Sequence, residues 1–128
     1  MAYLIDTHTL IWYAEGSSKL SLKAKNILDS KNINKFISIA SVWEMGIKSQ
    51  LGKLRFSPSF ETFIRNEISL VGYQVLPANL SHIILIEQLE LHHKDPFDRL
   101  IIAQSITESL PVVTIDEKFK HYNVESIW

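Results

Sequence analysis

Four acidic residues lie where the chain leaves a short apolar run or enters a predicted helix. They are Asp6, Glu44, Asp98 and Asp116. Carboxylates that share one site cannot all stay ionised without a counter-charge, because like charges raise each other's pKa. A hard divalent cation removes this repulsion, and oxygen ligands favour Mg²⁺ or Mn²⁺ over zinc. Such an ion lowers the pKa of a bound water and neutralises charge on a phosphoryl group, so these residues predict metal-dependent hydrolysis of a phosphodiester.

The segment 92–104 carries the clearest local pattern around these acids. Proline disfavours helical backbone for the residue before it, so we expect Asp95 to be extended and to cap a helix that begins at Pro96. Asp98 then lies at the third helical position, near the positive end of the helix dipole. Aspartates at the start of a helix commonly only cap it, so this segment alone does not separate a structural role from a catalytic one.

The acids near the start of the chain also have structural alternatives. Asp6 could simply cap the segment that follows it. Ser41 and Glu44 match the capping-box pattern, which predicts a helix over residues 41–50. The stretch 46–54 is not a phosphate-binding loop, because its glycine spacing is one residue too long and leucine stands where Ser or Thr is required. Local sequence therefore leaves capping and chemistry both open for these acids.

Apolar runs of strand length alternate with longer segments of helical periodicity along the chain. Strands are predicted at residues 3–5, 36–40, 74–76 and 111–115, with 124–128 as a further edge strand. This alternation predicts an α/β fold, a three-layer α/β/α sandwich around a mainly parallel sheet. In that architecture the carboxyl ends of neighbouring strands share one edge, where ligands bind. We therefore expect the four acids to meet at this edge, which capping alone does not explain.

The length and composition of the chain limit the kinds of protein that it can be. A length of 128 residues, with 46% hydrophobic and 21% charged residues, predicts one globular domain over residues 1–128. The formal net charge of −1 excludes a global cationic field, so a polyanionic partner must be held by a local patch or through a metal ion. The sequence has neither a signal peptide nor an apolar run of membrane-spanning length, and we expect a cytoplasmic protein with no membrane contact.

The sequence contains no sign of a zinc site. Cysteine is absent, which excludes disulfides and thiolate ligands and is consistent with a reducing compartment. The histidines at positions 82, 92 and 93 lack the H-x-x-x-H spacing of a helical zinc site. We interpret His82, His92 and His93 as surface or loop residues.

Several polar residues could support the acidic site. Thr7 and Thr114 lie beside Asp6 and Asp116 in sequence, and their hydroxyls could orient a metal-bound water, although a hydroxyl in a turn is often structural. The clustered basic residues that could meet a nucleic-acid backbone are Lys48, Lys53, Arg55, Lys94 and Arg99. We take Lys48 and Arg99 as the candidates for substrate binding, against the alternative that these are ordinary solvated charges.

Four segments carry the acids and their flanking motifs, and they span residues 4–8, 40–54, 93–104 and 113–119. Together these segments resemble the PIN-domain family, and more narrowly its VapC toxins from bacterial type II toxin–antitoxin modules. The resemblance extends over essentially the whole chain, and Asp-Pro-Phe-Asp-Arg at 95–99 is its most specific part. It implies an α/β/α sandwich, Mg²⁺-dependent endoribonuclease activity on an RNA substrate, homodimerisation and neutralisation by a cognate VapB-like antitoxin.

The same resemblance assigns roles to the acids. It implies that Asp6 and Asp98 are the principal metal ligands. Glu44 and Asp116 complete the pocket, and one of them holds or deprotonates the attacking water. Asp95 belongs to the motif of this subgroup and is expected to have a supporting role. All four core acids are present, so the motif does not indicate an inactive relative.

Two other classes of function remain as alternatives. A catalytically weak PIN-like binding module would use the acidic pocket to hold a basic segment of a partner, with or without metal. A phosphotransfer domain with Asp6 as nucleophile is less favoured, because that design requires a second acid two residues later and His8 occupies the position. An RNA digestion with and without chelator separates the nuclease from the binding module.

Overall fold

A computed structural model describes all residues, 1–128. Its sheet has five strands, β1 Ala2–Ile5, β2 Asn34–Ser38, β3 Tyr73–Leu76, β4 Val112–Val113 and β5 Ser126–Ile127. Their order is β3-β2-β1-β4-β5, and every neighbouring pair is parallel. The mainly parallel sheet is confirmed, as is the edge position of the last strand. The first strand lies in the centre, flanked by β2 and β4.

Six helices connect and cover these strands. They are α1 Thr7–Glu15, α2 Leu22–Asp29, α3 Ile39–Gln50, α4 Phe60–Glu67, α5 Leu80–Gln88 and α6 Pro96–Glu108. A π-helical turn at Ile68–Gly72 extends α4, and a short 3₁₀ segment spans Glu117–His121. None of the helices combines the length and the apolar character needed to cross a bilayer.

Two separate apolar clusters lie on the two faces of the sheet. Ile5 and Val113 belong to one cluster, whereas Leu4 and Val112 belong to the other. This division follows from strand geometry, because successive side chains point to opposite faces. The first cluster includes residues of α1, α2, α3 and α4, and the second is built largely on α6. The three-layer α/β/α arrangement is therefore confirmed.

The start of α6 agrees with the pattern of the sequence. Asp95 is extended, and its Oδ1 accepts hydrogen bonds from the backbone N–H groups of Phe97 and Asp98 at 2.9 and 3.1 Å. Pro96 takes the first helical position, where its missing N–H leaves no bond unmade. The helix then runs through the interior as far as Ser105, which fixes the position and direction of its first turn.

The predicted start of α3 at Ser41 is wrong by two residues. The helix begins at Ile39, and Ser38 caps it by accepting a hydrogen bond of 3.0 Å from the backbone N–H of Ala40. Ser41 is fully buried inside the helix, and its Oγ accepts a hydrogen bond of 2.8 Å from Thr7. Glu44 is consequently the sixth residue of α3 and takes no part in a capping box.

Candidate metal centre

The sheet order brings three sequence-distant acids to one edge. Strands β2, β1 and β4 are adjacent and parallel, so the segments that follow their carboxyl ends lie side by side. Asp6 directly follows β1, Glu44 lies on the helix after β2, and Asp116 follows β4. The first turn of α6 adds Asp98 from the face of the second apolar cluster. Four separate elements thus supply one carboxylate each.

Asp6 lies at the centre of this edge and is only 3% exposed. Its Oδ1 accepts a hydrogen bond of 2.8 Å from the backbone N–H of Thr7 and so caps α1. Its Oδ2 accepts a hydrogen bond of 2.8 Å from the hydroxyl of Thr114. Burial raises the pKa of Asp6 above its ordinary value, and the hydrogen bond from Thr114 partly opposes that shift. The predicted capping role is real, but it leaves the second oxygen for other contacts.

The pKa of Asp98 is raised by burial and by the charges of the whole acidic cluster. Its pKa is raised from 3.8 to about 8, first by burial and then by the negative charges of its neighbours. These neighbours are, in decreasing order of effect, Asp6, Asp95, Glu44 and Asp116. Repulsion of this kind requires that the carboxylates lie close together, as the sequence predicts. A cation placed among these carboxylates would relieve the same repulsion.

His93 is a member of the site that sequence reasoning missed. Its Nε2 lies 2.9 Å from Asp116 Oδ2 and 3.0 Å from Asp98 Oδ2, and the residue is only 5% exposed. The interpretation of His93 as a surface or loop residue is therefore wrong. The loop that carries it folds inward, and its ring packs edge-on against the buried ring of Phe119. The one signal in the sequence is its place two residues before Asp95, just ahead of the most specific motif.

His82 and His92 differ in burial, and neither is part of the acidic site. His82 is fully buried, so the surface interpretation is wrong for it as well. Its Nδ1 accepts a hydrogen bond of 3.1 Å from the backbone of Asn79, and its Nε2 lies 3.0 Å from Glu108 Oε2, both structural contacts. His92 has an exposed side chain and pairs with Glu90, as expected for the surface.

Glu44 and Lys48 form an ion pair at the side of the cluster. Lys48 Nζ lies 3.0 Å from Glu44 Oε2, with side-chain exposures of 36% and 9%. Four residues separate them along α3, which places both side chains on one face. Lys48 is therefore next to the acidic site and still reachable from solvent.

Arg99 is placed differently from the expectation that it binds substrate. It is only 8% exposed, and its guanidinium donates hydrogen bonds of 2.8 to 3.3 Å to backbone carbonyl oxygens. The accepting residues are Ile86, Leu89, Glu90 and His93. The donors are directed inward, so they are not available to a nucleic-acid backbone. Arg99 instead fastens the loop between α5 and α6 and so positions the backbone of His93.

The two threonines bond within the protein. The hydroxyl of Thr7 donates to Ser41 at 2.8 Å, and that of Thr114 donates to Asp6 at the same distance. Thr114 Oγ1 also accepts a hydrogen bond of 3.0 Å from the backbone N–H of Asp116. Thr114 thus joins two acids of the site, whereas Thr7 links α1 to α3.

The donor set suits a hard divalent cation. Ligand atoms of His93, Asp98 and Asp116 all lie within 4.8 Å of one another, and the carboxylates of Asp6 and Glu44 are close enough to raise the pKa of Asp98. Carboxylate oxygens dominate, and Lys48 is the cation that pairs with one of them. Mg²⁺ and Mn²⁺ both accept such ligands, whereas the thiolates that select softer metals are absent.

Several solved structures share this fold. VapBC2 from Rickettsia felis, bound to a DNA fragment from their promoter, contains a chain of 18% identity with a TM-score of 0.75, and 99% of this chain and 98% of that chain are covered. VapBC-1 from nontypeable Haemophilus influenzae has 18% identity, a TM-score of 0.71 and coverage of 99% and 97%. A toxin–antitoxin complex from Klebsiella pneumoniae has 17% identity, a TM-score of 0.68 and coverage of 98% and 96%.

These likenesses bear out, at the level of the fold, the resemblance to VapC toxins that the motifs indicate. Comparison with curated proteins finds no match. The model of the family described as PIN domain matches residues 3–125, which is nearly the whole sequence. With the parallel sheet, the acidic edge and this match, the chain belongs to the PIN domain family.

Proposed function

We propose that this protein is a metal-dependent endoribonuclease, the VapC-type toxin of a toxin–antitoxin pair. The observation that carries the proposal is the convergence of acids from four separate elements at one edge of the sheet. The raised pKa of Asp98 is consistent with this arrangement, because, after burial, the negative charges of the other acids contribute to it. Capping accounts for Asp6, Asp95 and Asp116, but it explains neither Glu44 nor the proximity of the acids. A site that gathers negative charge in this way favours a divalent cation, and through it a phosphodiester.

In this proposal Asp6 and Asp98 are the principal ligands of Mg²⁺ or Mn²⁺, and Glu44 and Asp116 complete the pocket. When bound, the ion supplies charge neutralisation at the phosphoryl group and a more acidic water. Thr114 holds the Asp6 carboxylate by its hydrogen bond of 2.8 Å. With a pKa of about 8, the carboxyl group of Asp98 is mostly protonated at neutral pH when no metal is bound, and it must lose this proton to act as a ligand. Either Glu44 or Asp116 orients the attacking water or accepts a proton from it.

The experiment is an RNA digestion with Mg²⁺ or with chelator, using the wild type and the variants Asp6→Asn and Asp98→Asn. We expect cleavage only by the wild type with metal, because both substitutions remove a ligand charge. Expression of each variant in cells should also be harmless, while circular dichroism shows a folded protein. Glu117→Gln is the matched control, since Glu117 is an exposed acid next to Asp116 with a side chain that is 77% exposed. Normal cleavage by both aspartate variants would refute the proposal.

The proposed partner is a VapB-like antitoxin. The support is that one similar solved structure is described as a toxin–antitoxin complex and two others as VapBC, and that an acidic pocket attracts a basic segment. We expect the antitoxin to supply a cation to the pocket, so binding should weaken at high salt and in Asp6→Asn and Asp98→Asn. A short reading frame that overlaps the start of this one would identify the candidate. A complex that is indifferent to salt and to both substitutions contradicts this mode of neutralisation.

We also propose that the protein forms a homodimer. Helix α5 leaves Leu80, Ile83 and Ile84 exposed at 73%, 51% and 51%, an apolar face that is consistent with an interface. Sedimentation of the wild type should give a dimer, and Ile84→Glu on this face should weaken it. A wild-type monomer at micromolar concentration is the contrary result.

A binding module without catalysis is the second candidate. The observation in its favour is the Lys48–Glu44 pair, in which the acidic site already accepts an ammonium group. Such a module would bind a basic peptide in chelator and cleave no RNA with Mg²⁺. The digestion described above therefore decides between the two functions.

A further inference from the structure

The imidazole of His93 is held at both of its nitrogen atoms. Nδ1 accepts a hydrogen bond of 3.2 Å from the backbone N–H of Asp95. Nε2 makes a hydrogen bond of 2.9 Å with Asp116 Oδ2 and lies 3.0 Å from Asp98 Oδ2. A half-turn of the ring would place carbon atoms at both positions and break both hydrogen bonds. The ring orientation is therefore defined by two independent contacts.

These contacts determine which nitrogen carries the proton. Nδ1 faces the N–H of Asp95, so it must offer a lone pair and cannot carry a hydrogen itself. The hydrogen of neutral His93 is then on Nε2, where it is donated to the carboxylate of Asp116. A histidine that binds a metal through one nitrogen normally donates an N–H from the other one. His93 has the opposite arrangement, because its second nitrogen is an acceptor.

The surrounding contacts make this donor rigid. The backbone N–H of His93 donates to the hydroxyl of Tyr122 at 2.8 Å, and its carbonyl accepts from Arg99 at 3.1 Å. On the other side, Asp116 Oδ1 accepts a hydrogen bond of 2.9 Å from the backbone N–H of Lys118. Each oxygen of the Asp116 carboxylate thus has its own donor, and only the one on Oδ2 comes from a side chain.

We propose that His93 is a positioning residue of the metal centre: its Nε2–H holds Asp116 beside Asp98 in the arrangement that a divalent cation needs, and it is not itself a metal ligand. This inference rests on the proposed function, because it requires that the acids bind metal. In metal sites generally, hydrogen-bond donors next to the ligands hold those ligands in the orientation that binds the metal. Loss of such a donor commonly weakens metal binding by about 10- to 100-fold.

Two substitutions separate the hydrogen bonds of this ring. In His93→Gln the side-chain amide N–H₂ reaches the place of Nε2, so the bond to Asp116 is kept and the bond from Asp95 is lost. In His93→Asn the shorter amide reaches only the place of Nδ1, so its oxygen keeps the bond from Asp95 and Asp116 loses its donor. The readout is the dissociation constant of Mn²⁺ alone, measured by calorimetry on the full chain without RNA.

We expect His93→Asn to raise the Mn²⁺ dissociation constant by about tenfold or more, and His93→Gln to stay close to the wild type. Equal affinities in all three proteins would overturn the inference, as would a loss confined to His93→Gln. Wild-type protein that binds no Mn²⁺ would overturn the proposed function itself, and the inference with it.

Electron paramagnetic resonance of the Mn²⁺-loaded wild type gives a second readout that does not depend on either variant folding. A directly bound histidine produces a nitrogen coupling on Mn²⁺. The inference expects no such coupling from His93. A coupling that is present in the wild type and disappears in His93→Asn would make His93 a ligand and overturn the positioning role. If neither variant folds, a direct nitrogen coupling in the wild type overturns the inference and its absence supports it.

Discussion

The hydroxyl of Thr114 donates a hydrogen bond of 2.8 Å to Asp6 Oδ2, although the two residues lie 108 positions apart in sequence. This bond joins the ends of β1 and β4, the two neighbouring strands that deliver Asp6 and Asp116 to the site. Thr114 is 3% exposed, so water does not readily replace the bond. The orientation of the central acid therefore depends on the strand pairing.

The first prediction concerns this bond. Thr114→Val preserves the shape of the side chain but removes the donor to Asp6 and the acceptor for the backbone of Asp116. We expect a loss of stability of about 1–3 kcal/mol and Mn²⁺ binding weaker by about tenfold. Urea denaturation and calorimetry measure the two effects.

Thr9→Val is the matched control for that substitution. Thr9 is fully buried and donates a hydrogen bond of 2.9 Å to the carbonyl of Val113, which also joins α1 to β4. Its hydroxyl makes no hydrogen bond to any of the acids, so the substitution should lower stability by a similar amount and leave the Mn²⁺ affinity unchanged. Equal losses of affinity in both variants would mean that Thr114 acts only through the fold.

The second prediction follows from the raised pKa of Asp98. The native state holds the proton of the Asp98 carboxyl more tightly than the unfolded chain does, because in the unfolded chain this carboxyl has its ordinary pKa of 3.8. The corresponding stabilisation is complete below about pH 4 and is lost as the pH rises through about 8. Metal-free protein should accordingly become less stable between these values.

Asp98→Asn tests that dependence, because the amide is neutral at every pH. In chelator at about pH 9 the variant should be more stable than the wild type by on the order of 1–3 kcal/mol, and the difference should nearly vanish near pH 4. Saturating Mn²⁺ should reverse the order, since only the wild type gains from binding. A wild type that is the more stable protein in chelator at high pH is the contrary outcome.

The third prediction concerns the interior position of Arg99. Arg99→Met leaves several carbonyl oxygens without their donor, so we expect a loss of more than about 3 kcal/mol in urea denaturation. Arg65→Met is the control, because Arg65 is 75% exposed and pairs only with Glu61; its effect should stay below about 1 kcal/mol. If Arg99 contacts RNA instead, its substitution would weaken RNA binding while the stability stays unchanged.

The fourth prediction uses the Lys48–Glu44 pair. Lys48→Met removes a positive charge from the side of the acidic site, so the site attracts a cation more strongly. We expect Mn²⁺ to bind severalfold more tightly at low salt, with the gain reduced as salt increases. RNA should bind less tightly, since the same charge attracts phosphate. Lys25→Met breaks the same type of i,i+4 pair, with Asp29 on α2, and should change neither affinity. A Mn²⁺ affinity that falls in Lys48→Met would exclude this electrostatic role.

Features that depend on a single turn or on strand length were predictable from the sequence. The cap at Asp95 and the first helical position of Pro96 follow from backbone sterics within one or two residues. The alternation of apolar runs with helical segments implied the parallel sheet, and the sheet implied that the acids would share an edge. The Ser41 start of α3 failed because Ser38 offers an equally good cap three residues earlier, and local pattern does not rank the two.

What the sequence by itself determined is the set of acids and the edge on which they meet, because both follow from residue type and from the period of apolar residues. Only the tertiary structure decided which polar side chains face that edge. Arg99 is turned inward by carbonyl groups of α5 and of the loop that follows it, and His93 is turned toward the acids by contacts with Phe119 and Tyr122. Phe119 and Tyr122 lie more than 25 residues beyond His93, and no local preference specifies which distant groups will meet. The direction of a buried polar side chain is settled by its partners, and the partners are settled by the fold.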